Sequence, residues 1–326
     1  MKLLTYRRDD VVSCGILTER GIVDIPSSTS ASSVEPWKGP NRPRSLCEVL
    51  EQGLPSSDQL RRLAGPGAKT IPLDSVKVLA PIPRPGKVLA LAGNYSEHIK
   101  EAALKRGFNL GLSDSPRLTT VPRPFLKPAT CILAPGETIS WPLYSREIDY
   151  ELELAVVIGK PAKCVEAGQA LDHVAGYTIA NDVSARSVTL SKDRQKRPWD
   201  DFYDWLSGKW ADGFCPMGPY LVTADEIADV QSLKMVLKVN GEIRQNANTA
   251  QMIYAVADIV SFLSHIMTLE PGDVICTGTP SGVGVATGNF LKAGDRIECT
   301  IDNLGTLTNT LGPRPEQFYE PLVITP

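Results

Sequence analysis

Two glutamates separated by one residue, Glu151 and Glu153, are the first feature of the sequence that could do chemistry. They lie in the run from Tyr150 to Ile158, where alternate side chains are apolar, so a β-strand would place both carboxylates on one face. Two strand steps separate them by about 7 Å at the backbone, close enough to converge on one hard cation. A half-exposed strand with its polar face in water is the alternative interpretation, which the Glu-x-Glu pattern alone does not exclude.

A third carboxylate, Asp182, follows the next apolar run. Residues 176–180 predict a strand that ends at Asn181 and Asp182. Three carboxylate ligands together with waters would suit Mg²⁺ or Mn²⁺. Zinc or copper would require histidine or cysteine ligands, which the neighbouring sequence does not offer.

His98 is the one histidine of the three in the chain that has an acidic partner at helical spacing. It falls in the first turns of a short predicted helix, with Glu101 three residues on and therefore on the same face. A carboxylate beside an imidazole orients it and raises its basicity, which suits the pair for activating water. A solvated helix face with an incidental pair is the competing interpretation. His173 and His265 are explained more simply by a turn and by helix packing.

The elements that must position these side chains fall into two parts. Closely spaced prolines over residues 80–86 cannot sit inside a sheet or helix, so they mark a boundary. Residues 1–80 are predicted to form a small N-terminal accessory domain and residues 81–326 the catalytic domain. Asn94 is predicted to cap the helix that carries His98.

The catalytic part is predicted to consist mostly of strands. Asn240-Gly241 is a strong signal for a two-residue hairpin turn. One amphipathic helix is expected over residues 250–267. The predicted strands cover residues 87–92, 124–127, 150–158, 174–181, 233–239, 274–277 and 296–301.

Six segments, taken together and in this order, resemble the fumarylacetoacetate hydrolase family, in particular its acylpyruvase and 2-hydroxyhepta-2,4-diene-1,7-dioate isomerase branch. They run from about residue 87 to the C-terminus, roughly three quarters of the chain. Their joint occurrence is far rarer by chance than any one of them. The segments are GNYSEH at 93–98 with Glu101, FLKP at 125–128, YELELAVVIGK at 150–160, GYTIANDVSAR at 176–186, LKVNGE at 237–242, and the glycine-rich loop TGTPSGVG at 277–284.

The resemblance implies an α+β fold, a mixed β-sheet roll preceded by a small N-terminal α+β domain, usually assembled as a homodimer. It implies that Mg²⁺ or Mn²⁺ is held by Glu151, Glu153 and Asp182. His98 and Glu101 resemble the family's water-activating pair. Further positions implied by the resemblance are Lys209, which would stabilise developing negative charge, and Tyr95, Arg186, Gly278 and Thr279, which would contact the substrate.

The function implied is a divalent-metal-dependent hydrolase that cleaves a carbon-carbon bond in a small anionic 2,4-dioxo acid, an acylpyruvate or a fumarylacetoacetate-like compound. A divalent ion chelated by the substrate would act as an electron sink for the enolate left by bond cleavage. An isomerase, tautomerase or decarboxylase of a related 2-oxo acid stays open, because tautomerisation needs the same electron sink but no attacking water. A non-catalytic homologue that binds the oxo acid is the alternative of a different class.

Two stretches depart from the family pattern. Many pyruvate-forming relatives have an amide side chain shortly after the Ser-Ala-Arg element, where this chain has Thr189. Residues 190–210 mix cations, acids and aromatics, and both a substrate-contacting lid and a surface insertion are compatible with them.

Composition excludes several other classes. The chain of 326 residues has 34 Lys and Arg against 37 Asp and Glu, a balance that gives nucleic acid no basic footprint. No apolar run is long enough to span a membrane, and the N-terminus lacks a signal-peptide pattern. The seven scattered cysteines never occur as CxxC, which argues against a disulfide framework. A cytoplasmic enzyme without nucleic-acid or membrane partners is expected.

Overall fold

The structure is a computed structural model that describes residues 1–28, 43–106, 120–188, 195 and 197–319. The predictions made for Thr189 and for residues 190–194 and 196 lie outside the described residues. Among the described helices, none is both long and apolar enough to cross a bilayer.

The described residues form short helices and many strands, numbered here in chain order. The helices are α1 (Ile25–Ser28), α2 (Leu46–Glu51), α3 (Ser57–Leu63), α4 (Ser96–Arg106), α5 (Asp200–Ser207), α6 (Val256–Ile266) and α7 (Gly284–Thr287). The strands are β1 (Lys2–Arg8), β2 (Val11–Thr18), β3 (Gly21–Asp24), β4 (Lys77–Val78), β5 (Val88–Leu91), β6 (Pro124–Lys127), β7 (Ile132–Leu133), β8 (Thr138–Ile139), β9 (Ile148–Asp149), β10 (Leu152–Ile158), β11 (Val174–Asn181), β12 (Ser184–Ala185), β13 (Cys215–Thr223), β14 (Lys234–Val239), β15 (Glu242–Asn248), β16 (Val274–Cys276), β17 (Arg296–Ile301) and β18 (Gly305–Leu311).

These strands pair into one large sheet, one five-stranded sheet and a two-stranded ribbon of β12 and β9. The large sheet has the order β3-β2-β1-β13-β11-β10-β16-β5-β6, with β4 on β1 and β7 on β13. The five-stranded sheet has the order β15-β14-β17-β18-β8. Pairing is mostly antiparallel, but β16 with β5, β13 with β7 and β18 with β8 are parallel. The predicted α+β fold with mixed sheets is confirmed.

Strand β10 lies in the middle of the large sheet and is buried along its whole length. Leu152 and Leu154 face a core shared with the five-stranded sheet and α6, whereas Ala155 and Val157 face a second core beneath α2 and α3. A strand covered on both faces has no side in water, so the half-exposed alternative for the Glu-x-Glu strand is wrong.

The N-terminal strands are part of the large sheet. Lys2 and Leu3 of β1 pair with Val222 and Leu221 of β13, a strand of the second part of the chain. The boundary near residue 80 stays a prediction, but backbone hydrogen bonds cross from one side of it to the other. The N-terminal part therefore completes the sheet that carries β10.

The hairpin was predicted correctly, and two helix starts were not. Asn240 and Gly241 turn with φ of 51° and 84°, the left-handed values that a two-residue hairpin loop requires. Asn94 does not cap α4, which begins at Ser96; its buried amide donates to the carbonyls of Tyr254 and Thr277. Its side-chain oxygen also accepts the Tyr254 N–H. Thr249–Gln251 form a separate 3-10 turn, and α6 begins only at residue 256.

Candidate metal centre and active site

Glu151, Glu153 and Asp182, called the triad below, come together where two central strands meet. In the β10–β11 pair, Glu153 lies opposite Ala180, so Asp182 follows the end of β11 beside the start of β10. The Asp182 N–H donates to the Glu151 carbonyl at 2.8 Å. One carboxylate oxygen from each triad residue lies within 4.8 Å of the others, and all three residues are buried.

Three buried cations surround the triad. The Lys209 ammonium donates to Oε2 of Glu151 at 2.8 Å and to Oδ2 of Asp182 at 2.7 Å. Lys127 donates to the other Asp182 oxygen, Oδ1, at 2.5 Å. The Arg186 guanidinium donates to the other Glu151 oxygen, Oε1. Lys209 is thus the one cation among the described residues that joins two carboxylates of the triad.

The carboxyl groups of Glu151 and Glu153 differ in how readily they ionise. Burial opposes ionisation of Glu151, but the charges of Lys209 and Arg186 outweigh it and lower its pKa. Burial, with the Asp182 and Glu151 charges added, raises the pKa of Glu153 well above its usual range. A carboxyl group that resists ionisation beside two carboxylates marks a position where a further cation would be stabilised. The all-oxygen donor set fits a hard ion such as Mg²⁺ or Mn²⁺.

The structure places His98 and Glu101 on α4 but gives them different partners. The His98 Nδ1 atom is buried and has no hydrogen-bond partner among the described residues. Burial lowers the pKa of His98. Both carboxylate oxygens of Glu101 accept the Gly282 N–H, at 3.2 and 3.0 Å. Glu101 therefore binds the glycine-rich loop, and its hydrogen bonds do not orient the imidazole.

The glycine-rich loop also contacts the triad. The Gly278 N–H donates to Oε2 of Glu153 at 2.8 Å. Gly278 has φ of +93°, and a Cβ there would lie 2.8 Å from the Asn94 Cβ, so only glycine fits. The Thr279 hydroxyl is buried and accepts from the Gln245 amide at 2.9 Å. Gly278 thus holds a carboxylate of the triad through its N–H, and Thr279 is the next residue of the same loop.

Tyr95 was predicted to contact the substrate, but its side chain is bonded within the core. Its hydroxyl donates to the sulfur of Met235 on the five-stranded sheet, inside the core. A buried phenol with a partner in the core is not free to contact a substrate in this arrangement.

Two aromatic side chains border Lys209. Phe125 and Trp205 meet edge to face at 4.8 Å, and the Lys209 ammonium lies 5.6 Å and 5.7 Å from their ring centroids. Trp205 belongs to α5, in the described part of the stretch for which a lid and an insertion were both considered. Trp199 at the start of this helix is 74 % exposed. The described helix therefore has an inner aromatic face near the site and an outer face in solvent.

Sequence reasoning gave no role to three residues that support the site. Lys127 was noted only as part of the FLKP segment. Asp149 accepts from Arg186 at 2.9 Å and from the Gly284 N–H at 2.5 Å. Gln245 reaches across from β15 to the glycine-rich loop. Strand alternation could have revealed Asp149, which lies two residues before the first glutamate of the triad, but no local pattern distinguishes the other two.

Fold and donor set together define a mixed-sheet protein with a buried carboxylate triad that could hold a hard divalent cation. The family model described as fumarylacetoacetate (FAA) hydrolase C-terminal matches residues 87–312. The chain belongs to the fumarylacetoacetate hydrolase family, as the sequence segments predicted.

Individual relatives show the range of the family. The chain is 40% identical over 272 residues to the mitochondrial oxaloacetate tautomerase FAHD2A of Bos taurus, covering 83% of this chain and 80% of the relative. A fumarylacetoacetate hydrolase from Exiguobacterium antarcticum is 31% identical, with a TM-score of 0.73 over 96% of this chain and 100% of that one. Maleylpyruvate hydrolase from Sphingobium sp. SYK-6, in complex with manganese(II) and pyruvate, is 29% identical with a TM-score of 0.72 over 97% and 100%. Hydrolases and a tautomerase thus share this fold.

Proposed function

We propose that the chain is a divalent-metal-dependent enzyme that interconverts the keto and enol forms of a small, anionic 2-oxo acid of the oxaloacetate type. The observation that carries this choice is the separate hydrogen bonding of the His98 and Glu101 side chains on α4. Within the described ranges, His98 Nδ1 has no hydrogen-bond partner, while Glu101 is bound to the Gly282 N–H. This arrangement offers a proton-transfer group without an assembled water-activating pair. The relative named oxaloacetate tautomerase supports the same choice.

The triad would hold the divalent ion, Mg²⁺ or Mn²⁺. When bound, the ion would polarise the 2-oxo group and thereby acidify the neighbouring carbon. Arg186 on Glu151 and Lys127 on Asp182 would keep the two carboxylates oriented. Gly278 would do the same for Glu153 through its N–H.

Tautomerisation moves one proton from carbon to oxygen. The C3–H bond breaks, its electron pair forms the C2–C3 double bond, and the 2-oxo oxygen gains a proton, so neither water nor an oxidant is consumed. His98 would take the proton at one ring nitrogen and return it to the substrate. A low pKa favours the neutral imidazole, which can accept a proton.

Lys209 would stabilise the negative charge that develops on the 2-oxo oxygen. Its ammonium already lies against two carboxylates of the triad and beside the aromatic edge of Phe125 and Trp205. An ammonium in a site with little water stabilises such charge more strongly than it would in solution. Thr279, which follows Gly278 in the glycine-rich loop, is the residue proposed to meet the substrate carboxylate.

The direct test is the rate of enol-to-keto conversion of oxaloacetate, followed by its ultraviolet absorbance, with Mg²⁺ and with Mn²⁺. We expect His98→Ala to slow the reaction by about 10²- to 10⁴-fold with Mn²⁺ binding nearly intact. His265→Ala is the matched control, since that histidine is exposed and bonded to the Ser261 carbonyl. An unchanged rate in His98→Ala would exclude the proposed base.

Hydrolysis of a carbon-carbon bond is the second candidate, favoured by the position of Glu101 one helical turn from His98 and by the maleylpyruvate hydrolase relative. A panel of acylpyruvates, oxaloacetate and dienoic oxo acids, with product identification, separates the two. Glu101→Gln should abolish hydrolysis but leave tautomerisation nearly intact. Binding of an oxo acid without any product would instead indicate a non-catalytic homologue.

Three predictions about the whole molecule stay proposals: the division near residue 80, the homodimer, and the cytoplasmic location. The relatives named above include a protein described as mitochondrial, so cell fractionation is the relevant test of location. Sedimentation velocity tests the homodimer, and expression of residues 81–326 alone tests the division.

A further inference from the structure

Each carboxylate of the triad has one oxygen bound to a donor that contacts no other triad residue. For Glu153 this donor is the Gly278 N–H, and for Glu151 it is Arg186. For Asp182 it is Lys127. Lys209 differs because it joins Oε2 of Glu151 to Oδ2 of Asp182. The two oxygens that Lys209 joins are therefore distinct from those that Arg186 and Lys127 hold.

Lys127 is the least accessible of these donors. It is the last residue of β6, and its side chain has 0% exposure. The thiols of Cys131 and Cys215, both fully buried in the second core, are near enough to act on its charge. Desolvating an ammonium at such a position is unfavourable, so its charge depends on the ion pair with Asp182. A lysine enclosed in this way cannot reach a substrate.

We propose that Lys127 is a positioning residue of the metal centre: by holding Oδ1 of Asp182, it presents Oδ2 to the divalent ion and so sets the affinity of the site. This inference rests on the metal-dependent function proposed above. Loss of a partner that orients a metal ligand typically weakens metal affinity 10- to 100-fold.

A purely electrostatic role of Lys127 would change the metal affinity of a Lys127 variant in the opposite direction. The positive charge of Lys127 repels a divalent cation, so removing that charge while Asp182 kept its orientation would tighten metal binding. A positioning role predicts weaker binding, because the freed carboxylate would lose its fixed rotamer and could turn both oxygens towards Lys209. The direction of the change in Mn²⁺ affinity therefore distinguishes the two roles.

The test is titration of the chelator-treated, full-length protein with Mn²⁺, in which electron paramagnetic resonance reports free and bound ion. We expect Lys127→Met to bind Mn²⁺ 10- to 100-fold more weakly and to change the spectrum of the bound ion. Lys127→Gln should retain more affinity than Lys127→Met, because an amide can still donate to Asp182. Lys87→Met is the matched control, because Lys87 pairs with buried Asp273 at 2.8 Å but lies outside the triad. The Mn²⁺ affinity of this variant should equal that of the wild type.

Unchanged or tighter Mn²⁺ binding by Lys127→Met would overturn the inference. If circular dichroism shows that this variant does not fold, Lys127→Gln decides: weaker binding than the wild type supports positioning, and equal or tighter binding overturns it. Absence of Mn²⁺ binding by the wild type would refute the proposed metal-dependent function itself. Normal wild-type binding with an unaffected Lys127 variant would refute only the positioning role.

Discussion

Replacement of Glu153 by glutamine should have opposite effects on stability with and without metal. Glu153 is 1% exposed and accepts the Gly278 N–H. Glutamine keeps nearly the same shape and a carbonyl oxygen for that bond, but it carries no charge. The metal-free protein should therefore lose a repulsion, and the metal-bound protein should lose a ligand.

The size of the repulsion follows from the triad geometry. Carboxylate oxygens within 4.8 Å of each other repel by about 3.5 kcal/mol per pair at an effective dielectric constant of about 20. Glu153 has two such neighbours, and attraction to Lys209 offsets part of their repulsion. Because the pKa of Glu153 is raised by burial and by these neighbours, proton uptake already relieves part of the remainder. We expect a gain of about 1–3 kcal/mol for the metal-free variant.

Thermal unfolding in chelator and in saturating Mn²⁺ measures both effects. Mn²⁺ at 100 times its Kd should stabilise the wild type by about 2.7 kcal/mol, and Glu153→Gln should lose most of this. Glu298→Gln is the control, since Glu298 pairs with Arg296 on β17, outside the triad. Lower stability of Glu153→Gln than of the wild type in chelator would contradict the predicted repulsion. Equal stabilisation of both proteins by Mn²⁺ would contradict the predicted role of Glu153 as a ligand.

Two further predictions concern groups beside and away from the triad. Arg186→Met should destabilise the protein by about 3–5 kcal/mol in urea unfolding, because it leaves the buried carboxylates of Asp149 and Glu151 without their shared cation; a loss below 1 kcal/mol would contradict this. Burial raises the pKa of Asp24, but hydrogen bonds, including one from Tyr6, outweigh it and lower the pKa. The unfolded state then binds more protons, so this stabilisation should be lost as pH falls below about 4, and Asp24→Asn should remove that part of the pH dependence.

The sequence was sufficient where local periodicity determines position. Alternation along β10 placed Glu151 and Glu153 on one face, and the end of the next apolar strand supplied Asp182. The Asn240-Gly241 turn was also predicted, because turn chemistry acts over a few residues, and the helix that carries His98 was predicted although its cap was not.

Contacts between side chains far apart in the sequence could not be predicted from local patterns. Lys127 is 55 residues from Asp182 in the chain, and nothing in FLKP distinguishes a buried lysine from one at a strand end in solvent. Asn94 was misread because its type suits a helix cap, whereas burial makes its amide satisfy the backbone of Tyr254 and Thr277. Which partner a polar side chain takes depends on what the fold brings near it.

The glycine-rich loop links the two halves of the proposed chemistry. Its Gly278 N–H holds Glu153 of the triad, and its Gly282 N–H holds Glu101 on the helix of His98. A cation that reorients Glu153 would act on the same loop that anchors α4. If Glu101 left Gly282 for His98, the water-activating pair would form, and hydrolysis would become possible in the same site. The choice between tautomerisation and hydrolysis therefore reduces to which partner Glu101 takes when substrate is bound.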